Sequence, residues 1–233
     1  MKTNVKKFIQ DTLFRLFPSS AVLMLHNISD TPIISKEILL SEERFYQMVD
    51  SFSNWDSIES IHAKPHHKKM AITFDDGFSD VYTIAYPYLN ARSIPFTCFV
   101  TVEKLDTVGY LTTGQLIELS KNPIVTIGAH CWHHKPLAGM HADQQAYELF
   151  ATKEKLEKII GKKILYMAYP YGQRDTTTMQ LLRKNKDSYA GCFIVGRGLV
   201  NIITSLNKFE LPRMGMDNSC FLKNMQYLKK YFY

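Results

Sequence analysis

The sequence predicts an α/β protein built on a parallel sheet, either open or closed into a barrel. Short apolar runs alternate with helical stretches along all 233 residues, the pattern that crossovers between parallel strands produce. Polar or aromatic groups stand where those runs end: His26, Asp75-Asp76, His130 and Tyr169-Pro170-Tyr171. Folds of this class gather functional groups at such strand ends. A hydrophobic content of 45% with 21% charged residues suits one well-buried core and argues against disorder.

The elements follow in order. "VKKFIQDTLFRLF" is amphipathic, with Val5, Phe8, Ile9, Leu13, Leu16 and Phe17 on one broad face. It predicts an N-terminal helix within 1–19, packed on the protein or lying on a membrane surface. "AVLMLH" (21–26) reads as a strand, and "SEERFYQMVDSF" as a helix capped by Ser41. "MAITF" (70–74) is a strand, followed by a helix over 79–93 interrupted by Pro87. Strands at 96–101 and 124–130 flank a short helix at 112–121. The clearest helix is 143–161, stopped by Gly161. A strand at 164–170, a helix at 176–185, a strand at 189–195 and a helix at 217–233 complete a single domain, 1–233.

Composition excludes several classes. The net charge of +6 suits an anionic partner, but the lysines are scattered and no nucleic-acid motif accompanies them, so nucleic acid is not expected. Four isolated cysteines, at 98, 131, 192 and 220, read as reduced thiols. No secretory h-region and no run of about 20 apolar residues is present, so the expected location is the cytoplasm.

"AITFDDGFSD" (71–80) ends an apolar strand on two adjacent carboxylates. Such neighbours oppose each other's ionisation, and a solvated turn is one explanation. The other is that a cation divides their roles. "HCWHHKPL" (130–137) places His130 and His134 four apart, where one turn of helix or a compact loop puts both imidazoles on one side. Two histidines and one carboxylate bind a divalent metal with positions open for water and substrate. A surface histidine pair is the alternative. With a metal, the second carboxylate can take a proton from a water whose pKa the cation has lowered, which suits amide or ester hydrolysis. No phosphate-binding or dinucleotide-binding glycine motif is present.

"TFDDG" (73–77), "GAHCWHHKPL" (128–137) and "YPYG" (169–172) resemble, in order and spacing, the first three motifs of the NodB-homology polysaccharide deacetylases, the family-four carbohydrate esterases. "LMLHNIS" is similar to the segment that opens many members. The resemblance covers roughly residues 20–215. It implies a deformed (β/α) barrel of the polysaccharide-deacetylase type and metal-dependent removal of acetyl groups from N-acetylated sugars. It assigns Asp75 as general base and Asp76, His130 and His134 as metal ligands. The Tyr171 N–H, after Pro170, would help hold the oxyanion, and Tyr171, Pro170 and Trp132 would lie near substrate. Zn2+ is the expected ion, with Co2+, Ni2+ and Fe2+ also compatible with these ligands.

The chain departs from the family pattern at three points. Cys131 stands where many members have Ser or Thr, an effect expected on the loop. Ala168 stands where many carry an arginine that orients the base, as in the "FAYPYG" branch. Arg213, in "LPRMGM", is the candidate for that role, with a structural surface arginine as the alternative. No histidine follows His141 to serve as the usual late general acid, and His26 is the candidate replacement.

The function expected is therefore N-deacetylation of a GlcNAc-type sugar, a surface-polysaccharide precursor carried on a nucleotide or lipid phosphate. Hydrolysis of another amide or an O-acetyl ester, or carbohydrate binding without turnover, are the alternatives.

Overall fold

The computed structural model describes residues 18–30, 38–196 and 198–232. The N-terminal helix predicted within 1–19 lies outside the described part except for residues 18 and 19, which are not helical.

Seven strands form one parallel sheet: β1 (Ala21–Leu25), β4 (Met70–Phe74), β5 (Phe96–Val100), β6 (Val125–Ala129), β7 (Tyr166–Ala168), β8 (Gly191–Phe193) and β9 (Met214–Gly215). Their order is β8-β7-β6-β5-β4-β1-β9. Two short strands, β2 (Asn27–Ile28) and β3 (Leu39–Leu40), pair separately. Segment 208–215 joins the two edges of the large sheet. It exchanges backbone hydrogen bonds with Cys192 and Ile194 beside β8, and its last residues pair with Leu23 and Met24 of β1. The sheet thereby curls into the deformed barrel that the sequence resemblance implies.

Strand periodicity of two divides the core. Leu23, Ile72, Cys98, Ile127 and Met167 belong to the larger cluster, which includes the helices. Val22, Ala71, Phe99, Tyr166, Ala168 and Phe193 form the barrel interior, closed below by Ile58 and Ile61 of helix α2 (Ile58–Ala63). Counting on by twos from the interior residues reaches His26, Asp75 and Val195. His130 follows inward-facing Gly128 by the same step.

Helix α1 (Glu42–Asp50) starts at Ser41, whose hydroxyl accepts from the Arg44 N–H. The predicted helix at 79–93 is a widened π turn, Val81–Ala85, running into α3 (Tyr86–Asn90). Pro87 has no N–H to give to the preceding turn, and the chain widens just before it. Helix α4 (Thr113–Lys121) carries a Thr112/Gln115 capping box. The predicted 143–161 helix is interrupted too: α5 (Ala142–Ala146) widens into a π segment, Tyr147–Ala151, before α6 (Thr152–Ile160) stops at left-handed Gly161. Asp175 caps α7 (Thr176–Lys184), and α8 (Phe221–Phe232) ends the described chain. The four cysteines are free thiols. Among the described residues no helix is long and apolar enough to cross a membrane.

Gly128 pairs with Phe99 across β5 and β6, and a Cβ there would lie 2.4 Å from Phe99 Cδ1. Gly128→Ala should therefore lower stability by about 1–3 kcal/mol through overpacking. Chemical denaturation checks this, and an unchanged midpoint would contradict the packing described.

Candidate active site

Asp75 leaves β4 pointing into the barrel and is buried, with its N–H donating to the Leu25 carbonyl at 2.9 Å. Arg213, at the start of the closing turn into β9, is completely buried, so it is not a surface arginine. Its Nη1 and Nη2 donate to Asp75 Oδ1 and Oδ2, both at 2.6 Å, and Nη1 also donates to the Thr73 hydroxyl at 3.1 Å. The guanidinium lies over the rings of Phe99 and Phe193, 5.3 and 6.0 Å from their centroids. Burial pushes the Asp75 pKa up, but Arg213 and His130 outweigh it and hold the carboxyl below its ordinary value. Asp75 is thus an ionised, fixed carboxylate with lone pairs left over from its two arginine bonds.

Asp76 faces a different group. Its backbone is left-handed, φ 71°, and Gly77 continues at φ 81°, a second left-handed step that favours glycine. This sharp turn lets two adjacent carboxylates serve one cavity. Asp76 Oδ1 lies 2.9 Å from His134 Nε2 and 3.3 Å from His130 Nε2, yet that buried oxygen has no properly directed hydrogen-bond donor. Burial raises the Asp76 pKa, and the two imidazoles more than reverse it. His130 Nδ1 is 2.8 Å from the Ala168 carbonyl. A carbonyl can only accept, so Nδ1 carries a proton and Nε2 is the nitrogen left to face a cation.

These three side chains bring their donor atoms within 4.8 Å of one another. Nitrogen and carboxylate ligands bind divalent ions at about 2.0–2.2 Å, which separates neighbouring ligands by about 3.0–3.4 Å. The donors and the orphaned Asp76 oxygen fit such an ion. Burial lowers the His130 pKa, but Asp75 and Asp76 outweigh it and the net shift is upward. The cavity therefore favours positive charge at that point, whether proton or cation.

A cleft of about 610 Å3 lies over this cluster and is lined by Asp75, Asp76, His130, His134, His26 and Tyr171 together with neighbouring side chains. Burial lowers the His26 pKa more than Asp75 and Asp76 raise it, which keeps the resting imidazole neutral. Tyr171 is left-handed, φ 55°, and its exposed ring packs 4.9 Å from the His134 ring. Four of the seven non-glycine residues with positive φ among the described residues are Asp76, Cys131, His134 and Tyr171, all in the three motifs, where strained backbone tends to concentrate.

Two of the residues expected near substrate stand outside the cleft lining. Trp132 and Pro170 do not line the cleft. Left-handed Cys131 and His134 turn the loop so that Trp132 faces the outer layer, 5.2 Å from the Tyr147 ring. Pro170 is buried in the turn that carries Tyr171. Conversely, Lys104, Tyr110 and Asp217 line the cleft without a sequence signal, because they arrive from two separate loops, the first two after β5 and the third after β9. Only a knowledge of the strand order would have brought them together.

With this geometry in place, comparison with known proteins is informative. The model of the polysaccharide deacetylase family matches residues 62–189. The chain belongs to that family. YxkH of Bacillus subtilis (strain 168), assigned to the same family, is 30% identical over 121 residues, 52% of this chain and 43% of that protein. Chitin deacetylase 3 of Cryptococcus neoformans var. neoformans serotype D (strain B-3501A) is 27% identical over 124 residues, 50% of this chain and 28% of that protein. The chain thus spans less than half of each of these two relatives. The Streptococcus pyogenes deacetylase PplD, solved with acetate, superposes with a TM-score of 0.77 at 20% identity, covering 92% of this chain and 98% of its own. IcaB from Ammonifex degensii gives 0.77 at 20% identity, covering 90% and 97%. These structures share the polysaccharide-deacetylase fold.

In this deacetylase-family barrel, Arg213→Met should cost about 3–5 kcal/mol, because it leaves the Asp75 carboxylate buried without a partner. Adding Asp75→Asn should recover part of the loss. Urea denaturation of the single and double variants checks both statements, and additive losses would show the pair to be energetically uncoupled.

Proposed function

We propose that this chain is a metal-dependent hydrolase that removes the N-acetyl group of a GlcNAc-type sugar, a precursor of a surface polysaccharide. The observation that carries the reading is a buried carboxylate, Asp75, clamped by Arg213 beside a convergent Asp76-His130-His134 donor set. A binding protein has no use for a fixed base next to a cation site.

Asp76, His130 and His134 would hold the ion. A divalent cation there supplies Lewis acidity, polarising the acyl oxygen and lowering the pKa of water. Asp75 takes the proton of the attacking water while Arg213 keeps both carboxylate oxygens in register. The Tyr171 N–H, presented by the turn at Pro170, is assigned to the oxyanion that develops on the acyl carbon. The carbon–nitrogen bond then breaks, giving acetate and a free amine. His26, in the cleft wall, is assigned to deliver the proton to the departing nitrogen, taking up the one that Asp75 collected. Lys104 places a cation on the same wall, which supports a phosphate-linked acceptor.

Protein loaded with Zn2+, Co2+, Ni2+ or Fe2+ should release acetate from N-acetylated oligosaccharides, and a chelator should abolish it. Asp75→Asn should retain metal but lose about 10²–10⁴-fold in kcat, whereas His130→Ala and His134→Ala should lose metal. Full metal content in both histidine variants would refute the ligand assignment. Unchanged acetate release by Asp75→Asn would refute the base, and an unaltered rate and pH profile in His26→Ala would remove His26 from the mechanism.

A further inference from the structure

The ligand loop 130–134 carries left-handed backbone at Cys131 and His134, so something must hold it. A count of its backbone hydrogen bonds identifies the holders. The His130 N–H donates to the Val100 carbonyl, and the His130 carbonyl accepts from the Thr101 hydroxyl. The Cys131 and Trp132 carbonyls accept from the N–H groups of Val102 and Glu103. On the opposite side, the Trp132 and His133 N–H groups both donate to Glu148 Oε2, at 2.7 and 3.1 Å. Glu148 Oε1 accepts from His133 Nδ1 at 2.5 Å. The Cys131 thiol is buried and, among the described residues, has no hydrogen-bond partner.

Glu148 is itself buried and sits in the π segment between α5 and α6. Three residues earlier, on the same helical face, buried Gln145 donates to the Met140 carbonyl at 3.0 Å and to Asp175. Asp175 also accepts from the Gly139 N–H at 2.9 Å. One face of this helix therefore holds residues 132–133 through Glu148 and, through Gln145, the chain at Met140 just before the helix starts, and a widened turn lies within that face, as π segments near functional sites often do.

We propose that Glu148 is a positioning residue for the cation site: its carboxylate fixes the 131–133 backbone and so aims His134 Nε2 at Asp76. The inference rests on the metal-site reading above. A thiol does not perform this task at position 131, and the loop is instead tied to an anion on a neighbouring helix. Partners of this kind, one step removed from the ligands, typically contribute about 10- to 100-fold in metal affinity.

The test is titration of the full chain with Co2+, read by the visible absorption of the bound ion. Glu148→Ala should bind Co2+ about 10- to 100-fold more weakly, with an altered spectrum. Glu148→Gln, which keeps an oxygen for the two N–H groups, should restore most of the affinity. If the alanine variant does not fold, Glu148→Asp, with its carboxylate withdrawn by one methylene, should weaken Co2+ binding in its place. Wild-type affinity and spectrum in the alanine variant, or in the aspartate variant if that is the one that folds, overturn the proposal. So does a glutamine variant as weak as alanine. Failure of wild-type protein to bind Co2+ would instead overturn the metal-site reading itself.

Discussion

The paired hydrogen bonds between Arg213 and Asp75 join fold and chemistry. Arg213 lies in the segment that ties β8 to β1, so closing the barrel and fixing the carboxylate are one event. The cation covers the aromatic floor of Phe99 and Phe193 and leaves Asp75 as the boundary between a dry interior and a wet cleft. A buried pair of this kind is not a gain in stability over an apolar core. It is tolerated because both charges are satisfied, and its benefit is a carboxylate that stays ionised and cannot rotate.

The ligand triad is built on the opposite principle. Asp75 has a fixed donor on each oxygen, whereas the Asp76 Oδ1 is left without a directed donor and faces two imidazoles. Nearly all other polar atoms around it are paired: His130 Nδ1 on Ala168, the loop N–H groups on Glu148, and the loop carbonyls on the turn after β5. A site with one conspicuous deficit of positive charge, inside a frame with few deficits elsewhere, is organised to receive a cation.

Much of this was legible in the sequence, because strand periodicity carries it. Once residues 21–25, 70–74 and 125–129 are read as strands, counting by twos puts His26, Asp75 and His130 on one rim. Arg213 was legible only as a substitute for a missing arginine, since its partner lies far away in sequence. The direction of Trp132 was not legible, because adjacency in a motif says nothing about direction when the backbone turns left-handed. The π segments were hidden for a related reason: one extra residue in a helical turn hardly alters a short apolar pattern. Glu148, Lys104, Tyr110 and Asp217 carry no local signal, because their roles arise from which loops the strand order brings together.

The 138-residue separation between Arg213 and Asp75 also bears on how the protein is made. Contacts this distant in sequence form late, after most of the loop-closure entropy has been overcome. A nascent chain that has completed β1 to β8 therefore exposes Asp75 as an ordinary hydrated carboxylate in a barrel still open between β8 and β1, without its permanent counter-charge. Competence would then appear abruptly near the end of folding, when the last crossover docks, and any cleavage between 193 and 213 that frees that crossover would return the carboxylate to water.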